Sequence, residues 1–246
     1  MIFLNTSNDM LTLSFDTSFK TAAVALLRDE AILYDVILNN SFNHSETLLP
    51  AIEQACRQLR LKIGDIDLFA CTLGPGSFTG LRVGVSTLKG LLLATGKPAV
   101  GVSSLMALAL NITDDAPLIC SVMDAGRGQV YAACCGYNDK GILKQISPEE
   151  VIDPRDIIFD SKLQVTFVGE GAIKYRDLLA GKAGKVKFAS SRHQHIRASA
   201  VGILGCEKYH RNELLNPDTF VPVYLRAADA KPGRPLFDNG RNIIKS

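Results

Sequence analysis

Three strand-like runs, LTLSFD (11–16), TAAVALLR (21–28) and AILYDVIL (31–38), are joined by only TSFK and DE, and the shortness of these joints is what most constrains the fold. A parallel connection needs a crossover of about a dozen residues or more, so the three runs are expected to form an antiparallel meander. A helix follows in SFNHSETLLPAIEQACRQLRLKIGDID, where Leu48, Leu49, Ile52, Cys56 and Leu59 recur on one face. Pro50 fits that helix if Ser45 or Thr47 is the N-cap, which leaves the ring in or near the first turn, and the helix should end near Gly64. A buried strand, DLFACTL (67–73), then leads through a glycine-rich loop into a second helix, about Gly80 to Ala94, stopped by Gly96 and Pro98.

The order strand, strand, strand, helix, strand, helix is half of the duplicated ribonuclease-H-like architecture shared by actin, sugar kinases and the Hsp70 ATPase, the ASKHA superfamily. The second half of the chain carries an echo. PLICSVMDAG (117–126) ends around Asp124 much as LTLSFDTS ends around Asp16, and the strand-like QVYAACCGY and GILKQI follow. The fold class expected is therefore α/β with two ribonuclease-H-like lobes. Residues 1–112 form the N-terminal lobe, to which a helix at about 198–211 returns; residues 113–197 form a smaller second lobe, and 227–246 a mobile tail. With 246 residues, 47% of them hydrophobic, the chain can fill two such cores.

The stretch from Cys71 to Val102 holds seven of the chain's 20 glycines. A glycine-rich turn between a strand and a helix often binds phosphate through backbone N–H groups. Yet GPGSFTG matches neither GxxxxGK[ST] nor GxGxxG, so a nucleotide site does not follow from the pattern. Asp16, Gly74, Gly76 and Asp124 stand as candidates for a vestigial nucleotide site. The residues after Asp16 are Thr17, Ser18 and Phe19, whose bulk opposes close approach of phosphate, so Asp16 and Asp124 read rather as turn formers that use their carboxylates on neighbouring N–H groups.

The formal charge of +2 is too small for a protein that binds nucleic acid by itself. The basic run Lys182 to Arg197 reads as a solvated loop and helix start more readily than as an RNA patch. Cys56, Cys71, Cys120, Cys134, Cys135 and Cys206 lie mostly in apolar runs without CxxC spacing, which suits buried free thiols in a reducing cytoplasm. No signal peptide or membrane span is evident, so the protein is expected to be cytoplasmic. No serine elbow and no HExxH motif marks a hydrolase, and His44, His193, His195 and His210 have no spacing that builds a metal site, although HQH alone would bind a metal weakly.

Taken together, LSFDTS, NHSETLLPAIE, GPGSFTGLRVGVSTLKGL, GVSSLMALA, DAGRGQVYAA and VPVYLR resemble the bacterial TsaB family, also called YeaZ. The resemblance is dense over residues 11–135 and returns at 221–226. It implies a two-lobed ASKHA fold and a role beside TsaD and TsaE in making threonylcarbamoyladenosine in tRNA next to the anticodon. TsaD performs the transfer and holds a metal through an HxxxH motif. The corresponding segment here has Ser103, Ser104, Ala107 and Leu108, which cannot replace imidazole ligands. His44 in NHSE matches the family pattern, with a capping or packing role at the helix start and contact with a partner both open.

The chain is therefore expected to be a non-catalytic scaffold or activator of TsaD, a subunit of a tRNA threonylcarbamoyltransferase complex. It needs no cofactor of its own, because ATP and metal are expected in the partner proteins. tRNA is met only through the complex, no membrane is involved, and the chain pairs with itself as a homodimer when TsaD is absent. The alternative is an ATP-dependent ASKHA-type kinase or ATPase. Gly80, Gly84 and Gly90 each cost the second helix about 0.5–1 kcal/mol, and close approach of another helix or strand, either internally against the sheet or from a partner, offsets that cost. The expected partner interface is Leu48, Leu49, Ile52, Cys56, Gly80, Gly84, Thr87, Leu88 and Leu91.

Overall fold

The computed structural model describes residues 9–39, 44–112 and 116–226; the expectation of a mobile tail at 227–246 falls outside them. In the first lobe, strands β1 (Leu11–Asp16), β2 (Ala22–Arg28) and β3 (Ala31–Leu38) form the antiparallel meander that the short joints require. Helix α1 (His44–Gln58), strand β4 (Leu68–Gly74), helix α2 (Phe78–Thr95) and strand β5 (Ala99–Ser103) follow. The sheet order is β3-β2-β1-β4-β5, with β4 and β5 parallel to β1.

Helix α3 (Ser104–Ala109) leads to the second lobe, built from β6 (Ile119–Gly126), β7 (Gln129–Tyr137), β8 (Leu143–Gln145), β9 (Glu150–Ile152), β10 (Gln164–Val168) and β11 (Lys185–Phe188), with the short helices α4 (Glu170–Lys174) and α5 (Arg176–Leu179). Its sheet runs β11-β10-β6-β7-β8, with β9 also on β7. The same path is traced twice: β6, β7, β10 and β11 repeat the roles of β1, β2, β4 and β5, while β8 and β9 share the place of β3. The two-lobed ASKHA arrangement is thus the observed fold.

Period-two alternation distributes β1 between two layers. Leu11, Leu13 and Phe15 pack with Leu48, Ile52, Val85 and Leu88 of α1 and α2. Thr12 and Ser14 face the other way, onto α6 (Ala198–His210), where the Ser14 hydroxyl donates to Ala198 O at 2.6 Å. Helix α6 lies close because a side chain at Gly202 would strike Leu27 and one at Gly205 would strike Ala70. A further apolar core of Val100, Val102, Leu105, Met123, Tyr131 and Leu204 runs through α3 and α6 from one lobe into the other.

Helix α1 departs from expectation at both ends. Ser45 and Thr47 lie inside it, and Pro50 sits in its second turn, where the ring leaves the Glu46 carbonyl without a helical donor. The helix ends at Gln58, short of Gly64, because Arg60 turns left-handed (φ 56) and Leu61 N–H caps Cys56 O at 2.9 Å. Helix α2 is capped by Ser77, whose hydroxyl oxygen accepts from Gly80 N–H at 3.3 Å, and is stopped by Gly96 at φ 65.

Candidate functional site

The glycine loop is filled by its own chain. The Ser77 N–H donates to Ser18 O at 2.6 Å, and a Cβ added at Gly76 would stand 2.2 Å from that same carbonyl. A Cβ at Gly74 would stand 2.3 Å from Val223 O, whose own N–H bonds Leu73 O at 2.7 Å. The turn after β1 therefore occupies one side of the loop and the C-terminal segment the other. Gly80 and Gly84 serve the same purpose. Added carbons would lie 2.0 Å from Thr17 O and 2.6 Å from Thr17 Oγ1, and that hydroxyl donates to Gly80 O at 2.8 Å.

Asp16 is fully buried, and one carboxylate oxygen accepts from Ser18 N–H at 3.0 Å and from the Thr72 hydroxyl at 2.6 Å. Burial pushes its pKa up, and the bonds from Ser18 and Thr72 oppose the shift. Its second oxygen faces no hydrogen-bond donor. Asp124 repeats the turn in the second lobe by accepting from Gly126 N–H at 3.0 Å, and it pairs with Lys174 at 2.5 Å. The Asp124 N–H donates to Glu170 at 2.9 Å, and burial raises the Glu170 carboxyl to about 7.

Asp16 and Glu170 line a void of 10 Å³ between the lobes, room for about one water and none for a nucleotide. Gly74, Gly76 and Asp124 do not line it. Of the four residues expected to form a vestigial nucleotide site, only Asp16 borders this void.

The outer faces of α1 and α2 are open. A groove of 730 Å³ runs between them over Ser45, Leu49, Phe78, Arg82, Val83, Ser86, Thr87, Gly90 and Leu91. A second, of 620 Å³, adjoins it across Leu49 and Leu91. Leu49 is 53% exposed and Leu93 91% exposed, and a Cβ at Gly90 would meet nothing within 4 Å. One end of the groove is closed by a stack in which the Arg82 guanidinium lies 3.8 Å above the Phe78 ring and Phe78 packs on Tyr224 at 4.8 Å.

The family model for TsaD, tRNA N6-adenosine threonylcarbamoyltransferase, matches residues 38–233. The tRNA threonylcarbamoyladenosine biosynthesis protein TsaB of Bacillus subtilis is 32% identical over 90% of this chain and 96% of its own length. Its Escherichia coli namesake is 28% identical over 88% and 95%. This chain belongs to the TsaB (YeaZ) family. The solved structure of YeaZ from Pseudomonas aeruginosa superposes with a TM-score of 0.76 at 25% identity, covering 88% of this chain and 100% of that one.

For a TsaB-family chain, the interface expected from sequence needs correction. Leu48, Ile52, Cys56, Gly80, Gly84 and Leu88 are buried against the first sheet, because α1 and α2 need those positions to cover β1, β2 and β4. Leu49, Thr87 and Leu91 of the expected set reach the outer face, and Ile52 and Cys56, although buried, border its second groove. A charged side chain at Gly84 would strike Thr17 and Cys71 and disrupt the core instead of a partner contact. Phe78, Arg82 and Tyr224, which were outside the expected set, lie on or beside this face, as does Gly90, which the sequence marked as one of the small residues of α2 but which was left out of that set. Its outward place follows from the period: with Leu81, Leu88 and Leu92 marking the buried side of α2, 3.6 residues per turn put position 90 opposite.

The segment corresponding to the TsaD metal motif is structural here. Ser103 caps α3 by accepting from Met106 N–H at 3.1 Å and donates to Glu149, while Ser104, Ala107 and Leu108 are buried. His44 Nε2 lies 2.6 Å from Phe19 O. The HQH stretch is held by the Asn111 amide, which donates to the carbonyls of His193 and His195 at 3.1 and 2.7 Å. Among the described residues no three His, Cys, Asp or Glu side chains are placed to hold a metal, and no helix is long and apolar enough to cross a membrane.

Proposed function

We propose that this chain serves threonylcarbamoyladenosine biosynthesis on tRNA as a non-catalytic partner of TsaD, working with TsaE in the cytoplasm and docking TsaD through the outer face of α1 and α2. The observation that carries the reading is the contrast within α2. Gly80 and Gly84 admit the chain's own Thr17, whereas Gly90 opens on solvent among Leu49, Leu91 and Leu93. An interior glycine with no internal neighbour weakens a helix without return unless something outside approaches it. The match of the TsaD family model to most of this chain makes a pseudosymmetric pairing of two like lobes the natural geometry, with a homodimer across the same face when TsaD is absent.

Both sides of the glycine loop are taken by the chain itself, one by Ser18 and the other by Val223, which argues against the alternative of an ATP-dependent kinase or ATPase. ATP and metal belong to the partners in this reading, and tRNA is engaged only by the complex. Co-purification with TsaD from the same organism, followed by a modification assay with each protein omitted in turn, tests it. Modification is expected to need this chain as well as TsaD. Undiminished modification without it, or turnover of ATP by this chain alone, would overturn the proposal.

A further inference from the structure

Two thiols stand opposite one another in the second lobe. Cys120 of β6 and Cys134 of β7 are paired in the antiparallel register. The Cys134 carbonyl accepts from Ile146 N–H at 2.7 Å and from Ser147 N–H at 3.2 Å, and its N–H donates to the Ser147 hydroxyl at 2.9 Å. Both backbone groups thus point away from β6, which makes 120 and 134 a non-hydrogen-bonded pair. Such pairs bring Cα atoms to about 4.5 Å, inside the range that a disulfide bridges. Both side chains enter the same apolar layer with Val122, Ala132 and Phe167.

The two thiols are not equivalent. Cys120 is 1% exposed, while Cys134 is half-buried. The neighbouring Cys134 thiol raises the pKa of Cys120, with burial adding to the rise, while Cys120 lowers that of Cys134 against the effect of its own partial burial. Cys71 and Cys206 are pushed up by burial, and Cys135 is pushed up to about 12. Cys134 therefore combines access with a lowered thiol pKa, and Cys120 stands directly opposite it in the ladder.

We infer that Cys134 and Cys120 form a reversible thiol–disulfide site, with Cys134 the attacking and Cys120 the resolving thiol. With a low-molecular-weight disulfide as oxidant, the Cys134 thiolate attacks one of its sulfurs, giving a mixed disulfide and releasing one small thiolate. The Cys120 thiol loses its proton to solvent and its sulfur attacks Cys134 Sγ, forming the Cys120–Cys134 bond and releasing the second small thiolate. The two cysteines lose two electrons, and the oxidant becomes two thiols on protonation. A dithiol reductant reverses both steps.

The test treats the full chain with oxidised glutathione, alkylates the remaining thiols and identifies linked peptides by tandem mass spectrometry. The peptide carrying Cys120 is expected to be joined to residues 128–140, with fragmentation placing the bond on Cys134 and not on Cys135, and dithiothreitol is expected to remove the link. In Cys120→Ser the mixed disulfide of Cys134 with glutathione should accumulate, because nothing resolves it. In Cys134→Ser both species should be lost. Linkage through Cys135, modification of Cys56 or Cys206 ahead of Cys134, or a glutathione adduct that persists in the wild-type chain would each overturn the assignment. The linked peptide of the wild-type chain decides the matter without either variant.

Discussion

Replacing Gly80 of α2 by alanine should destabilise the protein, although alanine is the better helix former. The new Cβ would stand 2.0 Å from Thr17 O, and the turn that carries this carbonyl has little freedom to retreat. Thr17 Oγ1 is bonded to Gly80 O at 2.8 Å, Ser18 O to Ser77 N–H at 2.6 Å, and Ser18 N–H to Asp16 at 3.0 Å. Overpacking costs about 1–3 kcal/mol, and each buried hydrogen bond broken to relieve it costs about 1 kcal/mol more. The propensity gain of about 1 kcal/mol offsets part of this, leaving a net loss of about 2 kcal/mol. The same substitution at Gly90, where the carbon meets nothing within 4 Å, should instead stabilise by about 0.5–1 kcal/mol. Urea denaturation of the two variants should therefore differ by about 3 kcal/mol, with opposite signs relative to the parent chain. Equal effects, or a stabilised Gly80→Ala, would refute the claim that the loop glycines exist to admit Thr17 and Ser18.

Glu170, raised by burial from an ordinary 4.5 to about 7, gives stability a definite pH slope. The folded state keeps a proton that the unfolded chain releases, so this contribution is complete below pH 4.5 and is lost as pH rises toward about 7. The loss amounts to about 3 kcal/mol at most, and Glu170→Gln should flatten the slope in denaturation curves collected across that range. Asp16→Ala should cost about 2–4 kcal/mol by leaving the Ser18 N–H and the Thr72 hydroxyl unpaired in the core, while Asp16→Asn, which keeps an acceptor, should cost less; a loss no larger for alanine would contradict the turn-forming role. Arg82→Ala should leave stability within about 0.5 kcal/mol, since the guanidinium is exposed, and should weaken any partner seated on the groove, as read by co-purification yield.

Much of the fold was legible because its determinants are local. Two short joints dictated the meander, and Ser77, Gly96 and the leucine period set the limits of α2. Pro50 misled because proline in a second turn is tolerated only where tertiary packing holds the helix, and a sequence does not display that packing. The division of the α2 glycines into inward and outward ones depends on Thr17, which lies far away along the chain and reaches α2 only once β1 and β4 are paired. Sequence therefore marked the helix pair but reversed much of its surface, assigning Gly80, Gly84 and Leu88 outward when the sheet claims them. The break between β8 and β9, where Ile146 and Ser147 take up the backbone of Cys134, left no pattern that periodicity could detect.

The proposed docking role rests on the outer face of α1 and α2, and Gly90→Glu tests it most directly. A carboxylate there projects into open solvent in the isolated chain, so circular dichroism should report an intact fold. In sedimentation the variant should run as a monomer where the parent chain self-associates, and TsaD should no longer co-purify with it, while Lys185→Glu on the exposed edge of β11 should change neither. A folded Gly90→Glu that still dimerises and still retains TsaD would contradict the claim that this face is the shared docking surface.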